Sequence, residues 1–476
     1  MTTLLRRTAG LPRIPLAILL LTIAVVAGGR LVAALGAPAG TSDDAQAPGA
    51  GVVSPADEPP ADGGAAVDPL APAGATADGD LGRILANIDF WGGRFAADPR
   101  DFISGTRLAA SEIARARATG DIGAYAAAPA AIDGALKAND GYGPALDYRG
   151  VILVALHRFV EARDAARATL ADAPDSPAAL ATLGDAALEL GDIATARRAY
   201  QSLSVTADSA AARVRRSHLA FIEGDTAAAV AASRSALAAA IDEGVTGSGL
   251  AWYRYQLGNT LIATGDRDGA AAAYAVALAD DPGSYLARWG LARIAAAEGR
   301  TDEAIAHLDA AVAAVPLPES LALRADLNDL RGAAGDARRA EDDRRTVLAI
   351  GQLSGAAAGV YDRTLSLFLA NTGLDPARAL QLAADELRVR KDVYGYDAYA
   401  WALLANDRPA EADEAMSMAL AFGTHDAKLL YHAGMIATAL DDSARARTLL
   451  REALALDDSF DPAGAARARA TLESLR

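Results

Sequence analysis

Few side chains in this sequence are of the types that do chemistry. There is no cysteine, which excludes disulfides, thiolate metal sites, cysteine nucleophiles and a lipid-modified cysteine. The five histidines (His157, His218, His307, His425 and His432) are scattered, and no two stand at the i, i+4 spacing of a helical metal site. The sequence contains no G-x-x-x-x-G-K-S/T phosphate loop, no G-x-S-x-G elbow and no H-E-x-x-H. It therefore predicts no catalysis, no cofactor and no metal. What remains is recognition chemistry. Tyr255, Trp289, Trp401 and Tyr431 supply rings, Asn259 an amide and Arg293 a guanidinium. Rings hold apolar side chains and an amide pairs with peptide backbone, so this set suits an extended peptide or a short helix of a partner protein. Stacking of glycans or other small envelope molecules on the same rings is the alternative function. Packing between helices is the alternative role for the rings themselves.

A 34-residue echo supplies the elements that would position these groups. Gly258, Gly265, Ala270, Ala277 and Pro282 recur as Ala292, Gly299, Ala304, Ala311 and Pro316. The same offset carries Gly150, Ala162 and Pro174 to Gly184, Ala196 and Asp208. It also carries Ala400, Ala412 and Ala419 to Gly434, Ala446 and Ala453. A period of this length with small residues at these places is the signature of a helix–turn–helix solenoid. Runs of Val, Ile and Thr at period two are nearly absent, so the class is all-α with little or no sheet. The formal net charge of −16 argues against nucleic acid as a partner and keeps a long array soluble.

On these residues the chain resembles the tetratricopeptide-repeat proteins. The family pattern places small residues at repeat positions 8, 20 and 27, a large residue near 24 and proline near 32. In the repeat from Ala251 these are Gly258, Ala270, Ala277, Tyr274 and Pro282. The stretches 89–109, 390–404 and 429–440 are similar to those of uncharacterised bacterial repeat proteins with an N-terminal signal or anchor, and that similarity implies no activity. The resemblance implies a right-handed α-solenoid of about ten repeats over Arg107 to Asp461. A capping helix region precedes it at 81–106, and a C-terminal capping helix follows at 462–476. The repeats start near Arg107, Tyr142, Pro177, Ala211, Ala251, Tyr285, Glu319, Ser354, Val393 and Ala427, and a glycine-rich insertion, Glu243 to Gly249, ends the fourth. Glycines 191, 265 and 299 sit in the turns between helices. The first helix of each repeat then lines a concave groove. It brings Asp185 and Glu189, Trp252, Tyr255 and Asn259, Trp289 and Arg293, Tyr394, Asp397 and Trp401, and Lys428 and Tyr431 to that face. The carboxylate clamp found in some members is not matched, because Tyr255 stands where its lysine would be.

The N-terminus reads differently. Arg6, Arg7 and Arg13 precede an apolar run from Ile14 that continues past Arg30 to Ala37. Residues 1–36 are expected to be an uncleaved membrane anchor with the repeats outside the cytoplasm, or alternatively a signal peptide that leaves a secreted or periplasmic protein. Residues 37–80, filled with Pro, Gly, Ala and Asp, are expected to be a disordered tether.

Overall fold

The computed structural model describes residues 78–119, 122–356 and 362–475. The leader and nearly all of the expected tether lie outside them. Among the described residues there are 22 helices and no strand, and no helix is long and apolar enough to cross a membrane. Helix α1 (Asp78–Ala97) comes first. Ten pairs follow: α2 and α3 (Phe102–Thr119, Ile122–Ala138), α4 and α5 (Gly143–Ala155, Phe159–Asp172), α6 and α7 (Pro177–Glu189, Ile193–Thr206), α8 and α9 (Ala210–Ile222, Thr226–Asp242), and α10 and α11 (Gly247–Ala263, Arg267–Asp280). Then come α12 and α13 (Tyr285–Ala297, Thr301–Ala314), α14 and α15 (Pro318–Arg331, Asp336–Ala356), α16 and α17 (Asp362–Thr372, Pro376–Val389), α18 and α19 (Val393–Leu404, Pro409–Leu420), and α20 and α21 (Ala427–Ala439, Ser443–Leu456). Helix α22 (Pro462–Ser474) closes the array. The protein is an all-α solenoid.

Local chemistry sets the boundaries. Between α6 and α7, Gly191 takes φ +77° and the Asp192 N–H reaches back to the Ala187 carbonyl at 2.8 Å, which ends α6. The Asp192 carboxylate then accepts from the Thr195 N–H at 3.0 Å and starts α7. The same glycine–aspartate device recurs at Gly224–Asp225 and Gly265–Asp266. Where glycine is missing from this turn, His157, Asp407 and Asp441 carry the positive φ instead.

The small residues let paired helices close. A Cβ on Gly184 would enter the Tyr200 ring, and one on Gly258 the Tyr274 ring. Gly290 of the next repeat meets that ring from its other side, where a Cβ would lie 2.6 Å away. Tyr274 is thus fully buried in a slot made of two glycines.

Three boundaries differ from the repeat-based expectation. The first repeat begins at Phe102, not Arg107, because Asp101 accepts from the Ser104 N–H at 3.0 Å and caps the helix there. Of the glycine-rich insertion at 243–249, only 243–246 lie between the helices; its last glycines, Gly247 and Gly249, enter the first turn of α10. The eighth repeat's first described helix starts at Asp362, and α15 runs on to Ala356. At the front, Trp91 is buried and Phe95 lies against Gly105 and Gly134, so α1 packs on the first pair.

The array also curls until it touches itself, which no repeat pattern announced. The Lys391 N–H donates to the Glu189 carbonyl at 3.0 Å, and the Thr424 hydroxyl donates to the Ile222 carbonyl at 2.6 Å. Contacts of this kind join residues 201 and 202 apart, about six 34-residue repeats per superhelical turn. Glycine makes the approach possible: a Cβ on Gly191 would lie 2.5 Å from the Lys391 carbonyl oxygen, and one on Gly224 would collide with that of Gly423. Leu188, Leu219 and Ile222 share one apolar cluster with Val393, Leu403 and Leu429.

Candidate functional site

Closure turns the concave groove into a lumen. Its inner chamber, about 290 Å³, is lined mainly by the first helices of the third to tenth pairs and the segments that lead into them, with Ile193 of α7 and Asp457 and Phe460 before α22. A second chamber of about 620 Å³ runs outward between α14, α16 and α22. The two share Trp289, Arg293, Glu319, Thr364, Leu367, Lys428 and Phe460, which form a neck between them.

Four of the sequence-derived site residues meet in the inner chamber. Tyr255, Asn259, Trp289 and Arg293 all line the inner chamber. Each is already tied to the fold. The Tyr274 hydroxyl donates to Asn259 Oδ1 at 2.8 Å. The Arg293 guanidinium lies over the Trp289 ring at 4.8 Å, donates to the Ser459 carbonyl at 3.0 Å and pairs with Asp457 at 3.1 Å. Trp401 and Tyr431 do not reach the chamber. Both are buried in the wall behind it, their rings 5.5 Å apart, and the Trp401 indole N–H donates to Asn371 Oδ1 at 2.7 Å. Trp252 likewise packs on Tyr253 away from the lumen.

Three polar groupings complete the walls. His432 lies 2.7 Å from Asp397, the spacing of a general-base dyad. Yet His432 is 1% exposed and stacked under Trp401 at 4.1 Å, so its imidazole is sealed from any substrate in the chamber. The second grouping spans the superhelical turn. Arg390 pairs with Glu189 and with Glu386, and Arg363 with Asp392 at 2.7 Å and Glu386 at 3.4 Å. Three carboxyls thus surround two guanidiniums, and burial pushes the Glu189 carboxyl up to about 7. The neighbouring His157 is driven well below its ordinary value by burial and by Arg390 and Arg363, so it stays neutral.

The third grouping is the neck itself, of which sequence reasoning named Trp289, Arg293 and Lys428 but neither Glu319 nor Thr364 as a site residue. Glu319 Oε1 accepts from the Thr364 hydroxyl at 3.0 Å, while Oε2 is buried without a partner. Burial raises this carboxyl to about 7, against the pull of Thr364 and the Lys428 charge. Glu319, Thr364 and Lys428 all sit in the first turns of helices, α14, α16 and α20. Their signal in the sequence is a polar residue just inside the start of a repeat's first helix.

A chain of paired helices around a lumen belongs to the α-solenoid class. A family model described as a tetratricopeptide repeat matches residues 255–317, the fifth and sixth pairs. Among solved structures the chain is similar to the TPR domain of P58(IPK), at 13% identity, covering 83% of this chain and 94% of that one with a TM-score of 0.27. It is also similar to a tetratricopeptide repeat protein from Parabacteroides merdae, at 17% identity, covering 56% of this chain and 99% of that one with a TM-score of 0.30. No curated protein matches. The match to the tetratricopeptide-repeat model thus falls on two adjacent helix pairs of an array that, among the described residues, is an all-α solenoid throughout.

Proposed function

We propose that the protein is a non-catalytic scaffold that holds a segment of a partner protein in the lumen, and that the leader tethers the array to a membrane. Tetratricopeptide repeats generally mediate protein–protein interaction. The observation that carries the reading for this chain is the convergence of Tyr255, Asn259, Trp289 and Arg293 on one chamber that continues through a neck into a second. Two joined chambers suit a short extended segment better than a whole folded surface. The glycan reading is less favoured because the rings are engaged: Arg293 lies over Trp289, and Phe460 is 5.2 Å from Tyr431. Sugar stacking needs an open ring face.

The test is site-specific photocross-linking in the full chain at its native location. A benzoylphenylalanine at position 289 is expected to give one discrete protein adduct, whereas the same group at the exposed Val276 of α11 gives none. Equal adducts at both positions, or none at 289, would refute the lumen as the binding site. Adducts to carbohydrate alone would favour the glycan reading.

A further inference from the structure

The neck between the two chambers holds two polar groups that the fold leaves unmatched. Glu319 borders both chambers from the first turn of α14. Its Oε1 is taken by the Thr364 hydroxyl at 3.0 Å, while Oε2 is buried with no hydrogen-bond partner. A buried carboxyl oxygen in this state costs free energy that a donor on a ligand would recover. Lys428 borders the same two chambers from the first turn of α20. Among the described residues its ammonium enters no ion pair, although its charge acts on the Glu319 carboxyl. The guanidiniums of the inner chamber, Arg293, Arg363 and Arg390, are by contrast each paired with a carboxylate of the wall.

A carboxyl and a cation that face one space without pairing define what fits between them. A ligand ammonium would meet Glu319 but be repelled by Lys428, and a ligand carboxylate the reverse. A primary carboxamide is uncharged and offers an N–H donor and a carbonyl acceptor side by side. It also suits Glu319 in both protonation states. The ionised carboxyl accepts its N–H, and the neutral one can give a proton to the carbonyl while taking the N–H. Because chambers lie on both sides of the neck, a threaded segment continues in both directions, and what reaches these groups is a side chain rather than a chain end.

We propose that the neck is a carboxamide subsite: a segment held in the lumen places an Asn or Gln side chain there, its N–H donating to Glu319 and its carbonyl accepting from Lys428. This rests on the lumen reading above and makes Glu319 and Lys428 its specificity-determining pair. Thr364 is a positioning residue, since its hydroxyl holds one carboxyl oxygen and so orients the other.

The test is a display selection of short peptides of random sequence on the full chain in detergent, followed by photocross-linking of the selected peptides to a benzoylphenylalanine at position 255, which lines the inner chamber but not the neck. Adducts at 255 are expected, with Asn or Gln enriched about tenfold at one shared position, the effect of one hydrogen bond to a charged group. In Glu319→Ala, Lys428 stands alone and that position is expected to turn to Asp or Glu. In Lys428→Met it is expected to turn to Lys or Arg. Opposite shifts cannot come from a damaged fold, and either shift alone identifies its residue. Peptides that form the adduct but show no carboxamide preference, or a preference that both variants leave unchanged, overturn the subsite and leave the lumen reading standing. Peptides that form no adduct, or no selected peptide at all, overturn the lumen reading and the subsite with it.

Discussion

Replacing Gly258 with alanine is expected to loosen the fifth repeat, and shrinking Tyr274 in the same molecule to undo much of the damage. Tyr274 fills the slot between Gly258 and Gly290 with no exposed surface, and a Cβ on Gly258 would enter its ring. Overpacking of this kind costs about 1–3 kcal/mol, while alanine returns about 1 kcal/mol over glycine inside a helix. The net for Gly258→Ala is a loss of about 0–2 kcal/mol. Tyr274→Leu alone gives up the hydrogen bond to Asn259, worth about 1 kcal/mol, and leaves a small void. In the double variant the alanine meets a leucine. That pairing already exists one repeat later, where Ala292 and Leu308 occupy the same two places, both fully buried. The steric penalty should then disappear and leave only the helix-forming gain, a coupling of about 2 kcal/mol. A long array need not unfold in one step, so the readout is the local opening energy of α10 and α11 from native-state hydrogen exchange. If the two single effects add to within about 0.5 kcal/mol, the small-residue slot is not what sets the distance between the paired helices.

Asp441 holds φ +60° in an exposed turn where other repeats place glycine, so Asp441→Gly is expected to raise stability by about 1 kcal/mol in a urea titration. Glu319 keeps its proton in the fold up to about 7, above its ordinary 4.5, so its contribution is complete below about pH 4.5 and is lost as pH rises through 7. Glu319→Gln is therefore expected to match the parent at low pH and exceed it by about 1–3 kcal/mol above pH 7, as read from denaturation midpoints across pH 5 to 8. A constant difference at every pH would show that Glu319 does not titrate as described.

The helix pairs were legible because each rests on local chemistry that the sequence prints outright. Gly191–Asp192 and Gly265–Asp266 mark a stop and a start, and Pro282 and Pro316 sit just past the ends of second helices. The lumen-facing register was legible at Tyr255, Trp289 and Arg293 for the same reason. Trp401 and Tyr431 stand at the same repeat positions yet point into the wall, since a wide first helix presents more than one face and neighbouring Asn371 and Phe460 claim their rings. Arg293 reads as a free groove cation until Asp457 and Ser459, 164 and 166 residues away, are brought beside it. Closure itself has no local signal. It follows from small rotations summed over about six repeats, and a Gly224 that admits the Gly423 carbonyl looks identical in sequence to one that merely turns a corner.

The 201-residue separation between Glu189 and Arg390 also has a consequence in time. A ribosome adding 5–20 residues each second needs about 10–40 s to make the second edge after the first has emerged. During that interval the third to fifth repeats fold pair by pair but carry a bare edge, with Leu188, Ile222 and the unpartnered Glu189 exposed. A nascent chain of this architecture is thus complete in its parts long before it is complete as a ring, and the waiting edge is where a chaperone, a second nascent chain or premature aggregation would find it.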